Sequence, residues 1–291
     1  MSKLQVLVTT MYATDFSKYY EMNLKTDSVI ANQADENSTL NKTINGNSVK
    51  LVTTSTRGTS KNRNIALLNI NPNAQYIMFS DDDLRFYDNY EEIILKAFEE
   101  NPQADAIKFN LNLVSQRKIS MNPIRKYHRV NRREVTSWGV LGLAIRTNVI
   151  EKHKITFNER FGPGTENYCG EDTIFLQELF KKKVKIFASP EYIADIDQSD
   201  SSWFEGYTEK YFNVSGMVLS EIYPFLCYPL IVRSAYKFSK RKQCDFKFLS
   251  ILKFYYCGVR ENAKQNRNFR QKQSFKLSLI HISEPTRRTP I

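Results

Sequence analysis

The apolar run Tyr76-Ile77-Met78-Phe79 passes through Ser80 into three consecutive carboxylates, Asp81, Asp82 and Asp83. The pattern predicts a buried strand that leaves the core and delivers acid to its edge. Adjacent aspartates repel one another strongly at low dielectric. A folded chain tolerates three of them best in open solvent or around a bound cation. A solvated turn explains the residue types, because Asp is common in turns. Just downstream, Asp88 and Glu91 read as a capping box opening a helix over Asn89 to Glu100. Position favours the other reading: in open parallel sheets, ligands bind beyond the carboxyl ends of strands. An all-oxygen carboxylate cluster suits Mg²⁺ or Mn²⁺ rather than zinc.

The chain around this stretch alternates between strand and helix. Leu4 to Val8 predicts a buried strand, Thr9-Thr10 a polar turn, and Tyr19, Tyr20 and Met22 a helix. Val29-Ile30-Ala31 predicts a second strand ending at Asn32-Gln33. The polar segment Asp35 to Asn47 reads as a loop before a strand at Val49 to Val52. Ser60 reads as the cap of a helix over Lys61 to Asn69. Later come a strand at Ala106 to Leu113, an irregular basic excursion over 115 to 135, and a strand at Trp138 to Arg146. A helix at Thr173 to Lys182 and a strand at Val184 to Ala188 complete the series. This order predicts an α/β fold with a mostly parallel sheet flanked by helices.

The formal charge of +11 is concentrated at one end, since residues 232 to 291 hold 15 Lys/Arg against 3 Asp/Glu. A basic end suits nucleic acid or an anionic membrane surface. The interleaved Phe238, Phe246, Phe248, Phe254, Tyr255 and Tyr256 favour the membrane, so no nucleic-acid partner is expected. A solvated, partly disordered tail explains Lys237 to Lys276 as well. Gly216 to Phe238 is apolar but interrupted by Glu221, Pro224, Pro229 and Arg233. It fails as a spanning helix of about 20 residues, and interfacial helices fit better. The expected organisation is an α/β domain over 1–215 and a helical membrane-associating region over 216–276. Residues 277–291 resemble the translated read-through of a sequencing adapter, so no part of the native fold is expected to depend on them. The four scattered cysteines suggest neither a zinc site nor a disulfide framework. With no signal-peptide h-region at Ser2-Lys3-Leu4-Gln5, the expected location is the cytoplasm, peripheral to the inner face of the cell membrane.

Two further stretches accompany the aspartate triplet. Arg57-Gly58-Thr59-Ser60-Lys61-Asn62-Arg63-Asn64 joins a glycine turn to a helix start, where free amides and positive charge suit a phosphorylated ligand. A capped helix with surface arginines looks the same. Gly170-Glu171-Asp172 places two acids at a helix N-terminus, which a bland N-cap also explains.

Taken in order, Asn32-Gln33, Arg-Gly-x-Ser-x-x-Arg-Asn, Ser-Asp-Asp-Asp and Gly-Glu-Asp-Thr resemble the GT-A glycosyltransferases of the family 2 type. The similarity runs from about Leu4 to Phe212 and includes Phe157 to Gly162 and Ser202 to Tyr207, as in bacterial enzymes that build capsular or other surface polysaccharides. The resemblance implies inverting transfer from a nucleotide-diphosphate sugar, a UDP-sugar foremost, to a glycan or lipid-linked acceptor. It implies Asp172 as general base, Asp81 on the ribose and Asp83 on Mn²⁺ or Mg²⁺, with Asp82 beside them in the donor site. Arg57 or Arg63 would assist the diphosphate, and Thr9 and Asn32 would sit near the base. Trp138 and Trp203 would stack on the acceptor, with Glu171 nearby, although a buried core tryptophan explains either one taken singly. Two departures stand out: family members often carry an acid where Asn32-Gln33 stands, and some a metal-ligating His where this chain reads Asp195-Ile196-Asp197. A nucleotidyltransferase is the rival enzyme, opposed by the glycine-free turn Thr9-Thr10-Met11-Tyr12. A non-catalytic nucleic-acid or membrane-binding module is the rival from outside enzymology.

Overall fold

The computed structural model describes residues 2–114, 123–197, 199 and 206–283, with the backbone alone at 137 and over 268–283. The chain divides into two compact units, Met1–Phe204 and Glu205–Ile291.

The first unit is a sheet with helices on both faces. Its strands are β1 (Leu4–Met11), β2 (Asp27–Gln33), β3 (Ser38–Ile44), β4 (Asn47–Thr54), β5 (Tyr76–Asp81), β6 (Leu84–Phe86), β7 (Ala106–Leu113), β8 (His128–Arg129), β9 (Leu143–Arg146) and β10 (Ile186–Ile196). They lie in the order β3-β4-β2-β1-β5-β9-β7-β10-β6, with β8 paired to β10. Only β4, β2, β1 and β5, together with the β7–β10 pair, run parallel. β9 is antiparallel to both its neighbours, and β3, β6 and β8 pair antiparallel as well. The sheet is thus mixed, not mostly parallel. A parallel return needs a crossover, usually a helix. Between β7 and β9 the described residues supply the short strand β8 and a 3₁₀ turn at Glu134–Ser137, with no α-helix among them.

Alternation along the strands builds a core on each face. Leu4, Val6 and Val8 join Met78, Tyr90, Ile94 and Phe98 on one side. Leu7 joins Ile77, Phe79, Phe175, Leu176 and Leu179 on the other. Of the unit's helices α1 (Ser17–Glu21), α2 (Thr59–Leu68), α3 (Tyr90–Glu100), α4 (Thr147–His153) and α5 (Glu171–Lys181), α3 and α5 supply the last residues of each set.

Several local expectations change. Asp35 to Asn47 is largely strand, because Asn45 (φ 50°) and Gly46 (φ 83°) form a two-residue hairpin turn that pairs β3 with β4. The capping box does not form: Asp88 accepts from Asn23 and Lys25, and Glu91 from Ser2. Ser60 lies inside α2 (Thr59–Leu68), and its hydroxyl donates to the Phe161 carbonyl at 2.6 Å. The strand expected over Trp138 to Arg146 is confined to β9, while that expected at Val184 to Ala188 extends to Ile196.

The second unit comprises α6 (Glu209–Ile222), α7 (Cys227–Ser239) and α8 (Phe248–Ser283). The division falls after Phe204, and residue 215, where the sequence places the boundary, lies inside α6. No helix among the described residues is long and apolar enough to cross a membrane. Phe238, Phe246, Phe254 and Tyr255, read from the sequence as membrane anchors, pack with Phe212, Ile231 and Ile251 in this unit's own core. α6 and α8 cross through Gly216 and Gly258. A Cβ on Gly216 would overlap the Tyr255 carbonyl oxygen, and one on Gly258 that of Asn213. Because backbone blocks both, Gly258→Ala is expected to cost about 1–3 kcal/mol, read from urea unfolding. An unchanged midpoint would show that the helices slide apart freely.

Candidate active site

The carboxyl ends of β4, β2, β1 and β5 lie side by side at Thr54, Gln33, Met11 and Asp81. The loops that follow share the edge where sheets of this kind bind ligands. Parallel register sets Thr9 opposite Asp81, and the Thr9 hydroxyl donates to Asp81 Oδ1 at 2.6 Å. The next hydroxyl, on Thr10, donates to Asp82 Oδ2 at 2.6 Å. Two strand residues thereby orient the first two carboxylates of the triplet.

Arg63 joins the three motifs. It projects from α2 with only 3% of its surface exposed. Nη1 donates to Asp172 Oδ1 at 2.5 Å and stands 3.8 Å from Glu171 Oε1, while Nη2 donates to Asp81 Oδ1 at 3.2 Å. Burial works against its charge, but Asp172, Asp81 and Glu171 more than offset that and hold the guanidinium above its ordinary value. The arginine expected on a diphosphate is therefore a buried clamp between the aspartate triplet and the Gly170–Asp172 turn. Removing one partner of a buried charge network strands the others. Arg63→Met is expected to lose about 3–5 kcal/mol of stability by urea unfolding; a loss under about 1 kcal/mol would mean that water replaces the arginine.

Asp172 begins α5 with Glu171, after Gly170 in a left-handed conformation (φ 100°). Its Oδ2 accepts from the Val140 amide at 3.1 Å, and a Cβ on Gly139 would stand 3.0 Å from the same oxygen. The turn carrying that amide is held from behind by Lys108 on β7, whose Nζ donates to the carbonyls of Gly139 (3.0 Å) and Leu141. Desolvation lowers the Lys108 ammonium to about 8, against the pull of Asp172. Sequence reading missed Lys108; its one signal is a lone charge among the apolar residues of Ala106 to Phe109.

Glu171 is buried, with only a narrow part of its surface exposed. Burial, and then the charge of Asp172, push its carboxyl up to about 8, with Arg63 pulling the other way. Between its ordinary value of 4.5 and about 8, the folded chain keeps a proton that the unfolded chain has released. Stability from this group therefore falls as pH rises across that window. Glu171→Gln is expected to flatten the corresponding part of the melting temperature against pH; an unaltered slope would assign the dependence to other groups.

Asp83 lies beyond the triplet's first two members. Asp83 is exposed at the rim, yet partial desolvation and then the charges of Asp81, Asp82 and Asp197 raise its carboxyl to about 7, and its backbone carbonyl accepts from the Asp197 amide at 3.1 Å. This crowding of oxygen-bearing acids fits a hard divalent cation. Among the described residues no three His, Cys, Asp or Glu stand together as a metal cage. The fit is to an ion held by one or two carboxylates and completed by ligand oxygens, as is usual for Mg²⁺. Asp195 is engaged elsewhere, accepting from Tyr87 and Asn112.

Other expected contacts fall differently. Asn32 is wholly buried, its amide bracing Ala13 at both backbone groups and Thr53 at the hydroxyl, so it shapes the loop after β1 instead of facing a base. Arg57 is partly exposed at the rim, donating to the Ala34 carbonyl and to Asp35, with its guanidinium 5.7 Å from the centroid of the Tyr12 ring. Two amides at the start of α2 are not free for an anion: Gly58 donates to Gln33 Oε1 and Thr59 to the Pro163 carbonyl. Gly58 (φ 116°) and Gly164 (φ 81°) meet backbone to backbone, a Cβ on Gly164 coming 3.0 Å from Gly58 Cα. Trp138 is half-buried against the second core, one residue before the turn that meets Asp172. Trp203 lies outside the described residues.

No protein-family model and no curated protein sequence matches the chain. Solved structures do. S. aureus TarS 1-349 in complex with UDP-GlcNAc superposes with a TM-score of 0.57 at 15% identity, over 76% of this chain and 66% of that one. TarS 1-349 with UDP gives 0.55 at 16%, over 95% and 75%. S. aureus TarS gives 0.57 at 15%, over 83% and 44%. The chain thus spans about two thirds of the first of these and less than half of the last. The likeness establishes the fold: a large mixed sheet flanked by helices, the GT-A type anticipated from the ordered motifs.

Proposed function

We propose that the chain is an inverting glycosyltransferase that moves a sugar from a nucleotide-diphosphate donor to a hydroxyl of a glycan or lipid-linked acceptor in surface polysaccharide synthesis. One observation carries this reading: Arg63 gathers Asp81, Glu171 and Asp172, from two distant motifs, at the carboxyl edge of the sheet. The UDP-GlcNAc and UDP bound to TarS, which shares the fold, favour a uridine donor.

In this mechanism Asp172 takes the proton of the acceptor hydroxyl as that oxygen attacks the anomeric carbon, and the bond from that carbon to the nucleoside diphosphate breaks. A carboxylate has about four acceptor positions. The bonds from Arg63 and Val140 leave Asp172 room for a further donor, and they fix its direction. Asp81 and Asp82, oriented by Thr9 and Thr10, would receive the donor's hydroxyl groups. Asp83, with Asp197 beside it, would hold Mn²⁺ or Mg²⁺, which when bound neutralises the departing diphosphate. Arg57 stands at the rim within the same loop cluster. The proposed setting is the cytoplasmic face of the cell membrane.

The test is a thermal-shift panel of nucleotides and nucleotide sugars with Mn²⁺, since a ligand of the native state raises apparent stability by mass action. Uridine diphosphate and one UDP-sugar should raise the melting temperature. Failure of every nucleotide to do so, with no sugar transferred across plausible acceptors, would overturn the reading.

A further inference from the structure

We propose that the outward face of α7, with the turn before it, docks the chain on an anionic lipid bilayer. α7 turns Cys227, Ile231 and Ala235 inward to the core of its unit, each four residues apart. The next row round the helix, Tyr228, Val232 and Tyr236, therefore faces out. These residues are 48%, 43% and 61% exposed, and Phe225 and Leu226, in the turn after Pro224, are 90% and 63% exposed. Five large apolar side chains along little more than three helical turns form a contiguous strip, and such strips mark interaction surfaces.

Charge identifies the occupant. Beside the apolar row runs a second, Pro229, Arg233 and Lys237, also exposed, and Lys240, Lys242 and Lys247 are exposed beyond it. Cys227 to Lys247 carries six Lys/Arg and one acid, Asp245. An apolar strip flanked by cations with aliphatic stems is the surface of an interfacial helix, whose long basic side chains reach to lipid phosphates while apolar groups enter the acyl boundary. Tyrosine suits the same depth, with an apolar ring and a polar tip. A second copy of the chain would bring cations against cations, whereas an anionic lipid surface complements them.

This face lies within Gly216 to Phe238, the stretch that reads from the sequence as interfacial helices. The aromatic residues named there one by one are largely internal, whereas Phe225, Leu226, Tyr228 and Tyr236 face out. The assignment does not depend on the transferase reading, because none of these residues belongs to the candidate active site.

The test is flotation of the full chain with vesicles of phosphatidylglycerol and phosphatidylcholine, against phosphatidylcholine alone. The chain should float with the first at low salt and not with the second. Joint Phe225→Ser and Leu226→Ser should weaken binding on the order of 100-fold. Joint Arg233→Gln and Lys237→Gln should weaken it roughly 30-fold, an effect that high salt removes. Circular dichroism and the nucleotide-induced thermal shift, both unchanged, show a folded variant with an intact first unit. Should the serine variant fail to fold, the glutamine variant carries the test. The proposal is overturned if the wild-type chain floats with neither vesicle or if a folded variant floats like wild type. It is also overturned if sedimentation shows a wild-type dimer that the serine changes dissolve, with no vesicle binding.

Discussion

Asp172→Asn is expected to lower kcat by about 10³-fold, within the range of 10²–10⁴ for loss of a positioned general base, with the KM for the donor little changed. The amide keeps the shape of the side chain, and its carbonyl oxygen can still accept from the Val140 amide or Arg63. What it loses is the capacity to take a proton from the acceptor. A kcat effect without a donor KM effect is the mark of an interaction made in the transition state. If the variant transfers sugar at more than about a tenth of the wild-type rate, Asp172 is not the base. A lowered unfolding midpoint must be measured beside it, since a neutral group at this position also weakens the network around Arg63.

Asp83→Asn should be nearly as damaging, with a loss of about 10²-fold or more in kcat/KM, because polarising a phosphoryl oxygen is worth several kcal/mol of transition-state stabilisation. Here the loss should appear as a raised requirement for Mn²⁺: activity of the variant climbs with metal concentrations that saturate the wild type, and chelation abolishes both. Asp197→Asn should show the same behaviour in weaker form if Asp197 shares the ion. An Asp83→Asn enzyme with unaltered metal titration would remove the cation from this corner and leave Asp83 without an assigned role.

The parts of the site that are legible in the sequence are those whose neighbours are close in the chain. Asp81 at the end of an apolar run, and Asp172 just after a glycine at a helix start, follow from local chemistry. Arg63 was legible as a residue and not as a role. A helix-start arginine looks the same whether it faces a phosphate or is buried against Asp172, 109 residues away. The same holds for Asn32: an amide at a strand end serves equally to meet a ligand or to brace the neighbouring loop, and its bonds here are to Ala13 and Thr53. Lys108 was hidden because its partners are backbone carbonyls of a distant turn, which leave no trace in residue type. In the fold, β3 was overlooked since its residues are nearly all polar and exposed. The Asn45-Gly46 pair signals its hairpin nonetheless.

The meeting of Gly58 with Gly164 bears on how such a protein would diversify. With no side chain between the two loops, neither can be remodelled alone: an insertion beside Pro163 displaces the chain at Arg57, and the reverse holds. Attempts to change substrate preference by exchanging one loop between homologues should therefore fail unless both segments are transplanted as a matched pair.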